Sequence, residues 1–135
     1  MPAGAARTAT GITVAIARDP ALVRTVRLVA AAVARRASQD EEFVEEVRLA
    51  VGEACALLVG QDSLDEGPVE VRMRLEDRLR VSVLAAGTIA AQDPPTSDID
   101  GVEPWALLRG LIDDFEITQD GGTTVLTMSW PLPRA

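Results

Sequence analysis

The sequence predicts an α+β domain, a two-layer sandwich in which a mixed, mostly antiparallel sheet carries its helices on one face. Three observations lead there. Apolar and polar residues alternate in two closely spaced pairs of runs, Val69 to Leu75 with Leu79 to Val83, and Phe115 to Ile117 with Thr124 to Trp130, the pattern of hairpins. Between Leu22 and Leu58, apolar residues recur every three or four positions, as on amphipathic helices. The resulting order, β-α-α-β-β-α-β-β, lacks the regular alternation of a parallel α/β sheet and favours helices layered on an antiparallel one.

Residues 1–10 are small and polar and are expected to form a disordered tail, with one domain over 11–131. Ile12, Val14 and Ile16 alternate as in a half-buried strand. Asp19-Pro20 marks a helix start, a carboxylate cap followed by a proline whose missing N–H costs nothing at the first position. Leu22, Val26, Val29 and Val33 give that helix its apolar stripe. A second helix is expected from Ser38, with Glu41 three residues on as in a capping box. Phe43, Val47, Ala50, Ala54, Leu57 and Leu58 form its apolar face, and Gly60 ends it. After the first hairpin, residues 86–101 are rich in Pro, Asp and Gly and form a loop. Trp105, Leu108, Leu111 and Ile112 suggest a third helix, and Gly121-Gly122 turns the last hairpin.

Composition excludes much chemistry. The 135 residues contain no His, Lys, Asn or Tyr, and all 13 basic residues are Arg, the bias of a GC-rich genome. Ser-His-Asp and Cys-His catalysis, Schiff-base lysines, P-loop lysines and His-ligated zinc are therefore ruled out. The net charge of -8 disfavours nucleic acid and anionic membrane as partners. A basic protein surface is the better match. The single cysteine, Cys55, cannot form an internal disulfide, and its expected role is apolar packing. With no signal peptide and no apolar run long enough to span a bilayer, a cytoplasmic location is expected.

The segment VRLAVGEACALLVG (47–60) resembles the second helix of bacterial anti-sigma serine kinases of the RsbW type, in the histidine-kinase-like ATPase superfamily. ALLRGLIDDFEITQDGGTTVLTMSW (106–130) resembles that family's last helix, hairpin and Gly-Thr turn. The resemblance covers roughly 11–130 and implies the family's fold. It also implies a site, and this sequence departs from it at three places. In the helix motif Glu-Ala-x-x-Asn, Glu53 stands where the general base would be, but Leu57 replaces the Mg²⁺-holding Asn and offers no oxygen to a hard cation. The adenine-binding Asp-x-Gly-x-Gly becomes Ala85-Ala86-Gly87-Thr88-Ile89, keeping only its first Gly. The phosphate-cradling Gly-x-Gly-Leu becomes Val102-Glu103-Pro104-Trp105, in which a donor is lost to proline and a carboxylate is added. Glu53, Gly87, Gly122 and Thr123 remain as a vestigial cofactor site with no catalytic residue assigned. Neither ATP nor a metal is expected.

Partner residues are expected on the first helix. The resemblance places Arg24 where the family's arginine meets both the sigma factor and its competitor, the anti-anti-sigma protein, and an arginine fork suits bidentate pairing with carboxylates. Arg27, one turn on, is a second candidate. The acidic run Asp40-Glu41-Glu42 with Glu45-Glu46 compensates a helix dipole and could meet a basic partner. Trp105 and Trp130 are expected in packing, with Trp105 an alternative partner anchor. The resemblance thus implies an anti-sigma factor that sequesters an alternative sigma factor by partner switching, and it implies a homodimer. Two alternatives stay open: a divergent ATP-dependent serine kinase acting on an anti-anti-sigma protein, and a pseudo-enzyme scaffold that binds only anti-anti-sigma-type domains.

Overall fold

A computed structural model describes residues 10–60, 67–87 and 114–133. Five strands and two helices follow one another: β1 (Thr10–Ile16), α1 (Val23–Ala37), α2 (Glu41–Val59), β2 (Val69–Leu75), β3 (Arg78–Ala86), β4 (Asp114–Asp120) and β5 (Thr123–Pro131). The strands form one sheet in the order β1-β2-β3-β5-β4. Every neighbouring pair is antiparallel. The expected α+β sandwich is therefore present. The expected third helix, the loop before it and the Val102–Trp105 segment lie outside the described residues.

Period-two alternation in the strands becomes continuous cross-strand rows. Val14 aligns with Val71, Val83, Leu126 and Ile117, and Ile12 with Met73, Val81, Met128 and Phe115. Both helices pack on the face that these rows define. Val26, Ala30, Val33 and Ala34 of α1, with Val47, Ala50, Ala54 and Leu58 of α2, are buried against it. Each fully buried Val, Leu or Met contributes about 1.5–3 kcal/mol relative to exposure, so this shared face dominates the fold energetically. The opposite face carries Arg72, Arg74, Arg80, Thr127 and Glu116, all polar.

The turns and caps follow local chemistry, with one shift. Asp19 accepts from the Ala21 N–H at 2.9 Å and starts a short 3₁₀ turn, Pro20–Leu22, that leads into α1. The second helix starts at Glu41, not at Ser38. Ser38 is extended (φ -160°) and ends α1, while the Asp40 carboxylate accepts from the Glu42 N–H at 3.0 Å. Asp40 lies next to the first helical turn and takes the capping role that the Ser38–Glu41 spacing suggested. Gly60 ends α2 as expected, but in a right-handed conformation (φ -85°). The carbonyls of Leu58 and Val59 at this end also accept from the Arg18 guanidinium, each at 3.1 Å. Between β4 and β5, Gly121 and Gly122 both have positive φ, 58° and 87°, which a two-residue hairpin turn of this hand requires.

Candidate functional site

The site implied by the helix motif and the two glycine turns lies on α2 and at the ends of β3 and β5. Helical spacing puts Glu53 and Leu57 one turn apart on α2. Both are half-buried, and Leu57 packs against the core. The Leu57 side chain ends in methyl groups and has no oxygen to offer a cation. Among the described residues, no group of three or more His, Cys, Asp or Glu side chains could hold a metal ion.

Glu53 is an ion-pair partner. Its Oε2 lies 3.8 Å from a terminal nitrogen of Arg27, which reaches across from α1. Arg27 gets there by crossing α2 at Gly52. A Cβ on Gly52 would stand 2.2 Å from the Arg27 Nε and 2.8 Å from its Cγ, so only glycine leaves room for this side chain. The Arg27 Nε is buried with no hydrogen-bond partner. Its seat is thus a steric fit closed by an ion pair at the far end.

Gly87 and the last hairpin are joined directly. Gly87, at φ 99°, donates its N–H to the Gly122 carbonyl at 2.7 Å. Thr124 donates its hydroxyl to the Gly87 carbonyl at 2.8 Å. Thr124 is fully buried, in a row with Ile16, Val69 and Ala85, whereas Thr123 is half-buried on the other face of the strand. Ala85 is itself nearly enclosed, at 3% exposure. Ala85 thus contributes a methyl to the core, and the Thr124 hydroxyl beside it is spent on a backbone carbonyl.

The structure separates the two arginines proposed for partner contact. Arg24 is exposed on α1 and makes no ion pair among the described residues. Four residues further along the same helix, Leu28 is 64% exposed. Arg27 is half-buried and committed to Gly52 and Glu53. On α2, Leu49 is also exposed, at 40%. The acidic run of α2 has internal duties: Glu41 pairs with Arg35 at 3.8 Å, Glu45 with Arg48, and Glu46 accepts from the Trp130 indole at 3.0 Å. Trp130 is 5% exposed, as a packing residue should be. Cys55 is fully buried, and burial pushes its thiol up from 9.0 to about 11, against the opposing pull of the Arg27 charge.

Sequence reasoning did not assign Gly52 a place in the site, nor Leu28 to an exposed surface. A glycine in mid-helix was the available signal for the first, since it costs helix stability unless something approaches closely.

An antiparallel sheet with two helices on one face, a Glu-bearing second helix and a Gly-Thr hairpin beside it define the class of ATPase-like domains. Residues 16–130 match the model of the histidine kinase-like ATPase domain, and the chain belongs to that family. Its similarity runs to the RsbW type. It is 29% identical over 126 residues to the serine-protein kinase RsbW of Bacillus velezensis, covering 82% of this chain and 79% of the relative. Its fold also matches a crystal structure of the RsbU and RsbW domains of a Mycobacterium tuberculosis protein, with a TM-score of 0.71 at 17% identity. That match covers 93% of this chain, which spans only 33% of the larger protein.

Proposed function

We propose that this chain is an anti-sigma factor that binds and sequesters an alternative RNA polymerase sigma factor in a partner-switching system, without using ATP. One contrast carries the proposal. The exposed face of α1 carries Arg24, with no ion pair among the described residues, beside an exposed Leu28, while Glu53 on α2 is paired with Arg27 of the chain itself. Leu57 gives Mg²⁺ no ligand, Arg27 occupies Glu53, and Thr124 is turned onto Gly87. An arginine and a leucine one turn apart form a compact anchor for an acidic and apolar segment of a protein partner. An anti-anti-sigma protein would compete for the same face. Such a chain works in the cytoplasm. It pairs with a second copy through the sheet and the N-terminal strand.

The second reading, a divergent serine kinase, is favoured by the retained Glu53 and Gly87 and by similarity to a relative described as a kinase. The deciding experiment is a pull-down of the tagged chain from its native cell, with the captured proteins identified by mass spectrometry. A sigma factor among them supports the proposal. Capture of anti-anti-sigma-type domains alone would replace it with the scaffold reading, and phosphorylation of such a domain in the presence of ATP would replace it with the kinase reading.

A further inference from the structure

Arg27 sits where an exposed helix arginine would not need to be. Its stem lies in a notch on α2 that exists because residue 52 has no side chain, since a Cβ there would fall 2.2, 2.8 and 3.0 Å from Nε, Cγ and Cδ. Its guanidinium ends on Glu53, with about a third of each side chain exposed (36% and 39%). In a helix interior, glycine is disfavoured against alanine because it loses more backbone freedom and buries nothing, so a glycine at this crossing needs a reason. The close approach of Arg27 is that reason.

We propose that Arg27 is the positioning residue of the α1 face: seated in the Gly52 notch and paired with Glu53, it fixes α1 against α2 with this chain's own side chains. The inference rests on the reading above only in assigning α1 to a partner. Two features give the seat its character. Arg side chains commonly bury an aliphatic stem and keep the charged end wet, which the notch and the half-exposed pair reproduce. The buried Nε finds no acceptor, so the seat is held by shape and charge and can be emptied without breaking a hydrogen-bond network. With Arg27 seated, Arg24 three residues earlier and Leu28 one residue later are presented at a fixed height over α2. Glu53 then serves as the counter-ion of this tie.

Cys55 gives a readout inside the molecule. It is the only cysteine, it is fully buried, and it lies one turn from Gly52 on α2. The Arg27 charge reaches its thiol. If Arg27 holds the helices together here, breaking this tie exposes Cys55 more often, through local opening and without global unfolding. The full chain is therefore labelled with a thiol-reactive disulfide reagent, with far-UV circular dichroism and a urea midpoint recorded for each variant.

Gly52→Ala fills the notch with a methyl group that favours the helix, and Arg27→Gln keeps a shorter stem in the notch but removes the charge that pairs with Glu53. Each should speed Cys55 labelling by about tenfold at a fold that is retained. Arg27→Glu should label at least as fast, since it sets two carboxylates side by side. The exchange Arg27→Glu with Glu53→Arg restores opposite charges and should label several-fold more slowly than Arg27→Glu alone. Wild-type labelling rates in both Gly52→Ala and Arg27→Gln overturn the proposal, as does an exchange that labels no more slowly than Arg27→Glu. Should Gly52→Ala fail to fold, Arg27→Gln and the exchange decide. None of these rates depends on a partner, so their outcome and that of the pull-down are independent.

Discussion

Thr124 donates its hydroxyl to the carbonyl of Gly87 at 2.8 Å, from a side chain with no exposure to solvent. The bond ties the end of β3 to the first turn of β5, and the Gly87 N–H closes the same junction on Gly122. The hydroxyl is spent on the backbone.

Thr124→Val keeps the shape and removes the donor. The Gly87 carbonyl then loses its side-chain partner in a buried setting, and the variant should lose about 1–2 kcal/mol of stability. Thr123→Val, on the half-buried face of the same strand, should change stability by less than about 0.5 kcal/mol. Urea unfolding midpoints of the two variants test the difference. Equal midpoints would show that the bond to Gly87 contributes nothing.

Alkaline stability isolates Cys55. The chain has no Tyr, Lys or His, and its arginines stay charged, so between pH 9 and 11 this thiol is the one side chain that titrates. Burial raises its pKa to about 11 in the folded state, against 9.0 when exposed, with Arg27 partly opposing the shift. The unfolded chain therefore gives up the thiol proton first. The stability from keeping the thiol neutral is fully present below pH 9 and is lost as pH rises toward 11, with a ceiling of about 2–3 kcal/mol. Denaturant midpoints of the wild type should fall across this window, while those of Cys55→Ala should stay flat. A fall of the same size in Cys55→Ala would assign it to another cause.

The two hairpins and both helices were legible because their periods, two and about 3.6, are local properties of the chain. Gly121-Gly122 was legible for a related reason, since two consecutive positive φ angles select glycine. The start of α2 was displaced because two signals overlap: Ser38 with Glu41 has capping-box spacing, and Asp40 beside them is also a cap residue and takes the Glu42 N–H. The site divides similarly. At Leu57 and Ala85 the departure from the resembled motif is visible from residue type alone. The choice between Thr123 and Thr124 needed sheet register, because adjacent strand residues face opposite sides and only the row through Val69 and Ala85 says which side is inward. The place of Arg27 needed tertiary structure, since nothing in the sequence pairs residue 27 with residues 52 and 53.

Nucleotide should leave the chain unaffected. A ligand present at a hundredfold over its Kd raises stability by about 2.7 kcal/mol, which a melting scan detects easily. Millimolar ATP with Mg²⁺ is expected to leave the melting temperature of the wild type unchanged. Leu57→Asn, which restores one amide oxygen, should not bring a shift by itself, because Ala85 still offers the adenine amine no acceptor. A Mg²⁺-dependent shift in the wild type at micromolar ATP would overturn ATP-independent function.

The face of α1 makes the most direct claim about partners. Arg24 is exposed and unpaired among the described residues, and Leu28 is the most exposed of the large hydrophobic side chains among them, at 64%. Neither supports the fold, so Arg24→Ala and Leu28→Asp should leave the urea midpoint within about 0.5 kcal/mol of wild type. Each should weaken capture of the native partner by roughly ten- to a hundredfold, the loss of a charged or apolar anchor at a desolvated contact. The two effects should also differ in salt. Arg24→Ala should remove much of the ionic-strength dependence of binding, whereas Leu28→Asp should leave that dependence in place at lower affinity, with added repulsion toward an acidic segment. Titrations of the purified partner at two salt concentrations read both. Wild-type affinity in either folded variant would move the interface off this part of α1. Wild-type affinity in both would leave the open sheet face as the next surface to test.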